Sequence, residues 1–500
     1  MSLIRRSGLL LHPTSLPGRY GIGEFGPAAV DWLEFLAGAE QSVWQMLPLN
    51  PVNRVGCPYQ SYAALAGNPL LISVDRLLDA GLLSRADLAD IPDLSDGPVD
   101  YAAAAAVKDR LLTRAFANFT PTAESDRFAT EQSWWLDDYA HFMALRRRHG
   151  KAWTEWPAAL AVRVPDALAR STHELARELD FFRFEQYLFA THYAQVRDRA
   201  RELGIEILGD LAMYVSPKSV DVWARPDLFQ VDAAGRPTAL AGFPPDAYSR
   251  ESQVWGNALY RWDALAAEDY RWWVDRFRRM QDLCDSVRLD HFHGFHRYWA
   301  VPVSRDAARG RWEDGPGTDL FTAVRKELPD LDMIAEDVGP MSAEVQRMRI
   351  DAGIPGMRLL QFAFSGDENQ YLPHRYPVDC VAYTGTHDND TTAGWWDTAT
   401  VDHRERAERY LGGVPDGICW SAARAVFASV AYLAVLPVQD VLQLGSDARM
   451  NTPGRTEGNW QWRLDPRSLT PGVEFRLRRL TELYGRDRTA AQRYAPEFTA

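Results

Sequence analysis

A chain of 500 residues exceeds one ordinary domain and suits either a large barrel with insertions or two to three domains. Apolar residues make up 46% and charged residues 25%, so a core can form without a disulfide or metal staple. A net charge of -13 argues against nucleic acid or an anionic membrane as the main partner and fits a neutral substrate.

The predicted elements begin with the apolar run GLLLHPTSL at 8–16. His12 and Pro13 interrupt it and no small-residue cleavage site follows, so it reads as a first strand and not as a leader. A helix-like stretch at 27–39 leads to the second run, VWQMLPL at 43–49. About 150 residues then pass before the third run, with charged helical pattern at 101–115, 134–149 and 166–203. The third run is IEILGDLAMYV at 205–215, and a second insertion with the loop-like GFPPDAYSRESQVWGNALY (242–260) follows it. Five more runs complete the series: SVRLDHF (286–292), DMIAEDVG (332–339), MRLLQFAF (357–364), CVAYTGTHD (380–388) and AVLPVQDVL (434–442).

Near-continuous apolar strands alternating with amphipathic helices, as at 266–280 and 342–352, specify a parallel sheet covered by helices. Eight of them predict a (β/α)8 TIM barrel with large helical insertions after strands 2 and 3. The expected division is 1–75 for barrel strands 1 and 2, 76–203 for the inserted helical subdomain, and 204–500 for the remainder. A lid-bearing insertion is expected around 216–285. The longest apolar stretch, near 425–438, is too short to span a bilayer. Cys57, Cys284, Cys380 and Cys419 show no CxxC spacing, which points to a reducing cytoplasm.

Asp210, Asp290, Glu336, Asp388 and Asp440 all fall toward the C-terminal ends of these runs, the end of a barrel that carries active sites. One such carboxylate alone reads as a helix cap or an arginine partner; several at equivalent ends read as a convergent site. Arg288 and Asp290 lie two apart and share a strand face, so the guanidinium is expected to keep Asp290 ionised and nucleophilic. Glu336, more enclosed, suits a general acid, and Asp388 a third carboxylate facing sugar hydroxyls or developing positive charge. This is glycoside chemistry with its stereochemistry open. A zinc-dependent barrel hydrolase would instead use His291, His293 and His296, but barrels of that kind usually carry His-x-His on the first strand, not the fourth. An α-glucan hydrolase of the α-amylase type would carry Asp-rich calcium loops, which this chain lacks. A non-catalytic glucan-binding protein would need aromatics but no carboxylate trio.

The segments LLHPTSLPG (10–18), WQMLPLNP (44–51), PYQSYAALAGNPLLI (58–72), GDLAMYVSPKSVDVWARPDLF (209–229), RLDHFHGF (288–295), IAEDVG (334–339), YTGTHDNDT (383–391) and GNWQWRL (458–464) resemble those of amylomaltases, the 4-alpha-glucanotransferases called disproportionating enzymes in plants. The resemblance covers nearly the whole chain in order and spacing. It implies transfer of a 1,4-α-glucan segment to the 4-hydroxyl of another glucan or glucose. It implies a retaining mechanism with no metal or cofactor, and maltooligosaccharides as donor and acceptor. By motif position Asp290 would be the nucleophile, Glu336 the acid/base and Asp388 the transition-state stabiliser. Arg288, His291 and His387 would bind sugar at the cleavage point, with Tyr59 and Asp210 lining the same pocket. Trp255 and Asn257 lie in the covering loop, Asp246 would meet the acceptor, and Asn459 would contact sugar hydroxyls. Three positions depart from the family pattern: Arg54 replaces an aromatic of a second, remote glucan site, Cys57 replaces a Ser, and Ala258 replaces a usual Pro. Tyr101, a further element of that remote site, remains.

Overall fold

Each of the eight apolar runs supplies one strand of a parallel barrel. The computed structural model describes residues 4–245, 252–304, 309–339, 342–366 and 369–488. In chain order its strands are β1 (Arg6–Leu10), β2 (Val43–Gln45), β3 (Glu206–Leu211), β4 (Ala239–Phe243), β5 (Gln253–Ala258), β6 (Ser286–Leu289), β7 (Arg297–Pro302), β8 (Arg311–Asp314), β9 (Asp332–Ala335), β10 (Gly356–Leu359), β11 (Cys380–Tyr383) and β12 (Leu433–Pro437). The eight-stranded sheet runs β10-β11-β12-β1-β2-β3-β6-β9, every pair parallel. Its two end strands meet where the Ala335 N–H donates to the Pro355 carbonyl at 2.8 Å.

Alternation along each strand builds two cores. Leu10, Val43, Leu208, Ile334, Leu359, Val381 and Val435 fill the barrel interior. Leu9, Trp44, Ile207, Val287, Leu289, Met333 and Ala382 face the helices. Because Val287 and Leu289 face outward, Arg288 between them faces inward. The register pairs Arg288 with Asp210 on β3, which places a guanidinium and a carboxylate side by side inside the barrel.

The helical stretch between β2 and β3 contains the helices Tyr101–Asn118, Ala123–Glu131, Ser133–His149, Pro165–Glu174 and Ala176–Glu202. The last of these belongs to the barrel wall as well: its Phe189 and Tyr193 pack on Phe25 with ring centroids 5.7 and 4.7 Å away. A buried ion pair joins Lys108 of the first helix to Glu24 in the loop after β1, with side chains only 2% and 8% exposed.

The segment read as a loop at 242–260 is partly sheet. β4 and β5 pair antiparallel there, and with β7 and β8 they form a second, four-stranded sheet in the order β5-β4-β7-β8. β7 and β8 lie between the barrel strands β6 and β9, so the barrel carries a further insertion that the sequence reading did not anticipate. Among the described residues no helix is long and apolar enough to cross a membrane. All four cysteines are free thiols.

Candidate active site

The C-terminal mouth of the barrel is organised around Arg288, whose side chain is 1% exposed. Its Nη1 donates to both oxygens of Asp210 at 2.7 and 2.8 Å and reaches Asp290 Oδ1 at 3.3 Å. Its Nη2 lies 3.1 Å from Glu336 Oε2. Asp210 is the penultimate residue of β3, Asp290 follows β6 by one residue and Glu336 follows β9 by one, so parallel pairing delivers all three to one face. Beyond Asp290 the chain turns sharply. His291 takes a left-handed backbone conformation, φ 48°, unusual for a side chain of its size. That turn aims its N–H at Glu336 Oε2, 2.6 Å away.

Asp388 joins through a second chain of contacts. The Tyr59 hydroxyl donates to Asp210 Oδ2 at 2.7 Å and lies 2.9 Å from His387 Nε2. Because its proton goes to Asp210, the Tyr59 oxygen accepts from His387 Nε2–H, which also lies 3.3 Å from Asp388 Oδ2. The Tyr59 and His387 rings stack at 5.5 Å and 9°. The sequence reading thus named Tyr59, Asp210, Arg288, Asp290, Glu336, His387 and Asp388, and one continuous network connects them.

The electrostatics differ from expectation at Asp290. Burial, then the charge of Glu336, hold this carboxyl well above the ordinary carboxylate range, and Arg288 does not offset them. The reason is geometric: Arg288 gives its best contacts to Asp210 and is divided among three carboxylates. Glu336 is also raised by burial, with Asp388 and Asp210 adding to the shift against Arg288 and the His291 N–H. Burial lowers His387 and takes His291 down to about 3, so both imidazoles are neutral at ordinary pH. The acidic ring keeps Arg288 charged, since Asp210 and Glu336 outweigh the burial that would lower it.

The remaining predicted residues divide. Trp255 packs edge to face on His291 at 4.8 Å, and its carbonyl accepts from Gln60 Nε2 at 2.8 Å. Asn257 donates to the Tyr59 carbonyl at 3.1 Å, so β5 is tied at two points to the short turn Pro58–Gln60 that carries Tyr59. Asn459 is engaged elsewhere: its amide accepts from the Thr452 N–H and donates to the Arg455 carbonyl, both at 2.9 Å, closing its own loop. Asp246 lies outside the described residues. Asp440 does not join the cluster. Buried at 2% exposure, it accepts from Thr384 and Thr392 and caps the start of the helix Thr392–Thr398. Cys57 is half-buried, and burial pushes its thiol up to about 12, which leaves it unreactive. Arg54 is exposed, while Tyr101 is buried with its hydroxyl donated to the Trp460 carbonyl at 2.8 Å. Among the described residues no group of three or more His, Cys, Asp or Glu side chains is placed to hold a metal ion. His293 Nδ1 is engaged with the Arg297 carbonyl at 2.9 Å.

The sequence reading missed a clamp on Asp388. Asn451 Nδ2 donates to Asp388 Oδ1 at 2.6 Å, and the Asn451 N–H donates to the His387 carbonyl at 3.0 Å. Arg449 donates to the Asp388 carbonyl at 2.7 Å and to the Asn451 carbonyl at 2.6 Å. Trp460 was missed too; its ring lies 5.8 Å from Tyr59 and 6.0 Å from His387. Arg449 and Asn451 carried no local sequence cue, whereas Trp460 stands beside Asn459 in the GNWQWRL segment.

A parallel barrel with several carboxylates around one guanidinium at its C-terminal mouth defines a barrel enzyme of the carbohydrate-active type. A family model described as 4-alpha-glucanotransferase matches residues 11–470, and the chain belongs to that family. The 4-alpha-glucanotransferase of Thermus thermophilus is 44% identical, with 96% of this chain and 99% of the relative covered. The chloroplastic/amyloplastic 4-alpha-glucanotransferase of Arabidopsis thaliana is 42% identical, covering 96% of this chain and 86% of its own. The structure of the amylomaltase from Streptococcus agalactiae in complex with acarbose superposes with a TM-score of 0.93 at 36% identity, covering 97% of this chain and all of that one. The chain is thus a transferase of α-glucans; the α-amylase and zinc-hydrolase readings are not favoured.

Proposed function

We propose that the enzyme disproportionates maltooligosaccharides in the cytoplasm by a retaining double displacement centred on Asp290, Glu336 and Asp388. The observation that carries this reading is the single guanidinium of Arg288 shared by Asp210, Asp290 and Glu336, with Asp388 linked to Asp210 through His387 and Tyr59. Burial and mutual repulsion raise both carboxyl groups, so ionising one disfavours ionising the other. The reaction needs the proton on Glu336, which leaves Asp290 an anion beside Arg288.

In the first step Asp290 attacks the anomeric carbon, the C1–O4 bond breaks, and Glu336 gives its proton to the departing O4. A glycosyl ester on Asp290 results. In the second step Glu336 takes the proton of the acceptor's 4-hydroxyl as that oxygen attacks C1, and the Asp290 ester is released. Asp388 faces the positive charge that develops at C1, and Tyr59, Asp210 and His387 receive sugar hydroxyls. The buried and unpartnered His387 Nδ1, His291 Nε2 and Tyr214 hydroxyl support a polyhydroxylated ligand here. Transfer outruns hydrolysis when an acceptor is held in place and water is limited, because orientation supplies a large effective molarity. The antiparallel sheet bearing Trp255 is suited to that covering role, and Asp246 is assigned to the acceptor.

The test is maltotriose incubation followed by product analysis, with Asp290→Asn and Glu336→Gln beside the parent. Longer maltooligosaccharides should exceed free reducing ends formed by hydrolysis. Asp290→Asn should form no glycosyl-enzyme, while Glu336→Gln should still be glycosylated by an activated fluoride donor. Near-normal turnover in Asp290→Asn overturns the assignment.

A further inference from the structure

The antiparallel sheet holds an aromatic surface that serves neither apolar core. Phe243 (β4), Trp299 (β7) and Trp312 (β8) are half-buried and belong to neither core cluster. Their burial is mutual: Phe243 meets Trp312 edge to face at 5.8 Å, and Trp299 meets Trp312 at 5.2 Å. Leaving aromatic surface in contact with water has a cost that packing does not recover, and such patches mark binding sites.

The surface is continuous with the carboxylate cluster. It begins at His291, one residue beyond Asp290, whose ring meets Phe243 at 5.4 Å. It continues through Phe243 to Trp312 and Trp299, and His293 lies 5.1 Å from Trp312 along the way. It starts beside Glu336, because the backbone N–H of the same His291 is bound to Glu336. Tyr59 and His387 connect instead through Asp210 on the other terminal nitrogen of Arg288. The wall has polar handles as well: the Trp312 indole N–H has no partner among the described residues and is not enclosed. Flat aromatic faces with a few donors at their edges match a pyranose, which is apolar on its C–H faces and polar around its rim.

We propose that Phe243, Trp299 and Trp312 form an acceptor platform that holds the second and later glucose units of an incoming α-1,4-glucan. This rests on Glu336 being the acid/base, since the acceptor enters on the side of that group. Glucose, a single unit, sits at the cleavage point and does not reach the platform.

The experiment uses a fluoride glycosyl donor at fixed concentration with glucose or maltotetraose as acceptor, comparing the parent with Trp312→Ala and Trp312→Leu. The leucine keeps apolar volume without a flat face. The apparent KM for maltotetraose should rise about tenfold in both variants. The KM for glucose and acceptor-free fluoride release should stay within about twofold, and the latter also reports an intact fold. Equal effects on glucose and maltotetraose, or no effect on either, overturn the platform. A parent-like Asp290→Asn in the same assay would instead refute the catalytic reading on which it rests.

Discussion

Replacing Asn451 with Ala isolates the clamp on Asp388. The side chain supplies one hydrogen bond to Asp388 Oδ1 at 2.6 Å, while the backbone N–H to the His387 carbonyl at 3.0 Å survives the substitution. The loop is therefore retained and the loss is confined to the carboxylate. A hydrogen bond to a charged group contributes about 1.5–3 kcal/mol. If that bond is needed to hold Asp388 toward the reacting carbon, turnover should fall roughly 10- to 100-fold. Under the proposed role the group acts on the developing charge and not on the resting sugar, so the loss belongs in kcat, with KM changed by less than about threefold. The assay is steady-state disproportionation of maltotriose, with denaturant unfolding run in parallel to separate lost structure from lost function. Unchanged kcat in a folded variant refutes the reasoning; a rise in KM alone would mean that Asn451 binds sugar directly.

Asp290→Asn should make the protein more stable at neutral pH. The folded-state pKa of Asp290 is raised, so the unfolded chain ionises first and folding weakens as pH rises above the unfolded carboxylate value. Thermal melting should show the variant ahead of the parent at pH 7 and the gap closing toward pH 4; a gap that is absent at pH 7 would contradict this. Lys108→Met should cost about 3–5 kcal/mol in denaturant unfolding, because it leaves the Glu24 carboxylate buried and unpaired. The double variant with Glu24→Gln should recover most of that loss, and no recovery would count against the ion pair as its source. Cys57→Ser should leave turnover within about twofold, since burial keeps the thiol protonated up to about 12; a large loss would reopen a role for the sulfur.

The barrel was legible because strands buried on both faces need unbroken apolar runs, and every one of the eight runs overlaps a barrel strand. The second sheet was not, because β4 runs into Gly242 and Pro244 and its partner β7 lies far along the chain. Nothing local announces a pairing of that kind. The cluster was legible where a strand fixes direction: Asp210, Arg288, Asp290 and Glu336 follow from inward alternation. Asp440 shows the limit of the same rule. It lies three residues beyond β12, in the short helix Val438–Val441, and Thr384 and Thr392 engage it as a cap. Position gives the end of the barrel, but the neighbouring hydroxyls decide which way the carboxylate turns. Asn451 and Arg449 act through loop geometry, which composition does not encode.

The ties from Gln60 and Asn257 to β5 bear on any attempt to redesign this enzyme by exchanging segments between relatives. β5 and the turn that presents Tyr59 are tied together at two points. A transplanted hairpin that arrives without matching partners for Gln60 and the Tyr59 carbonyl will shift Tyr59, and with it the hydroxyl that Asp210 and His387 share. If β5 serves the proposed covering role, product length and cleavage efficiency are coupled through this contact, and grafts should be cut so that both halves of it travel together.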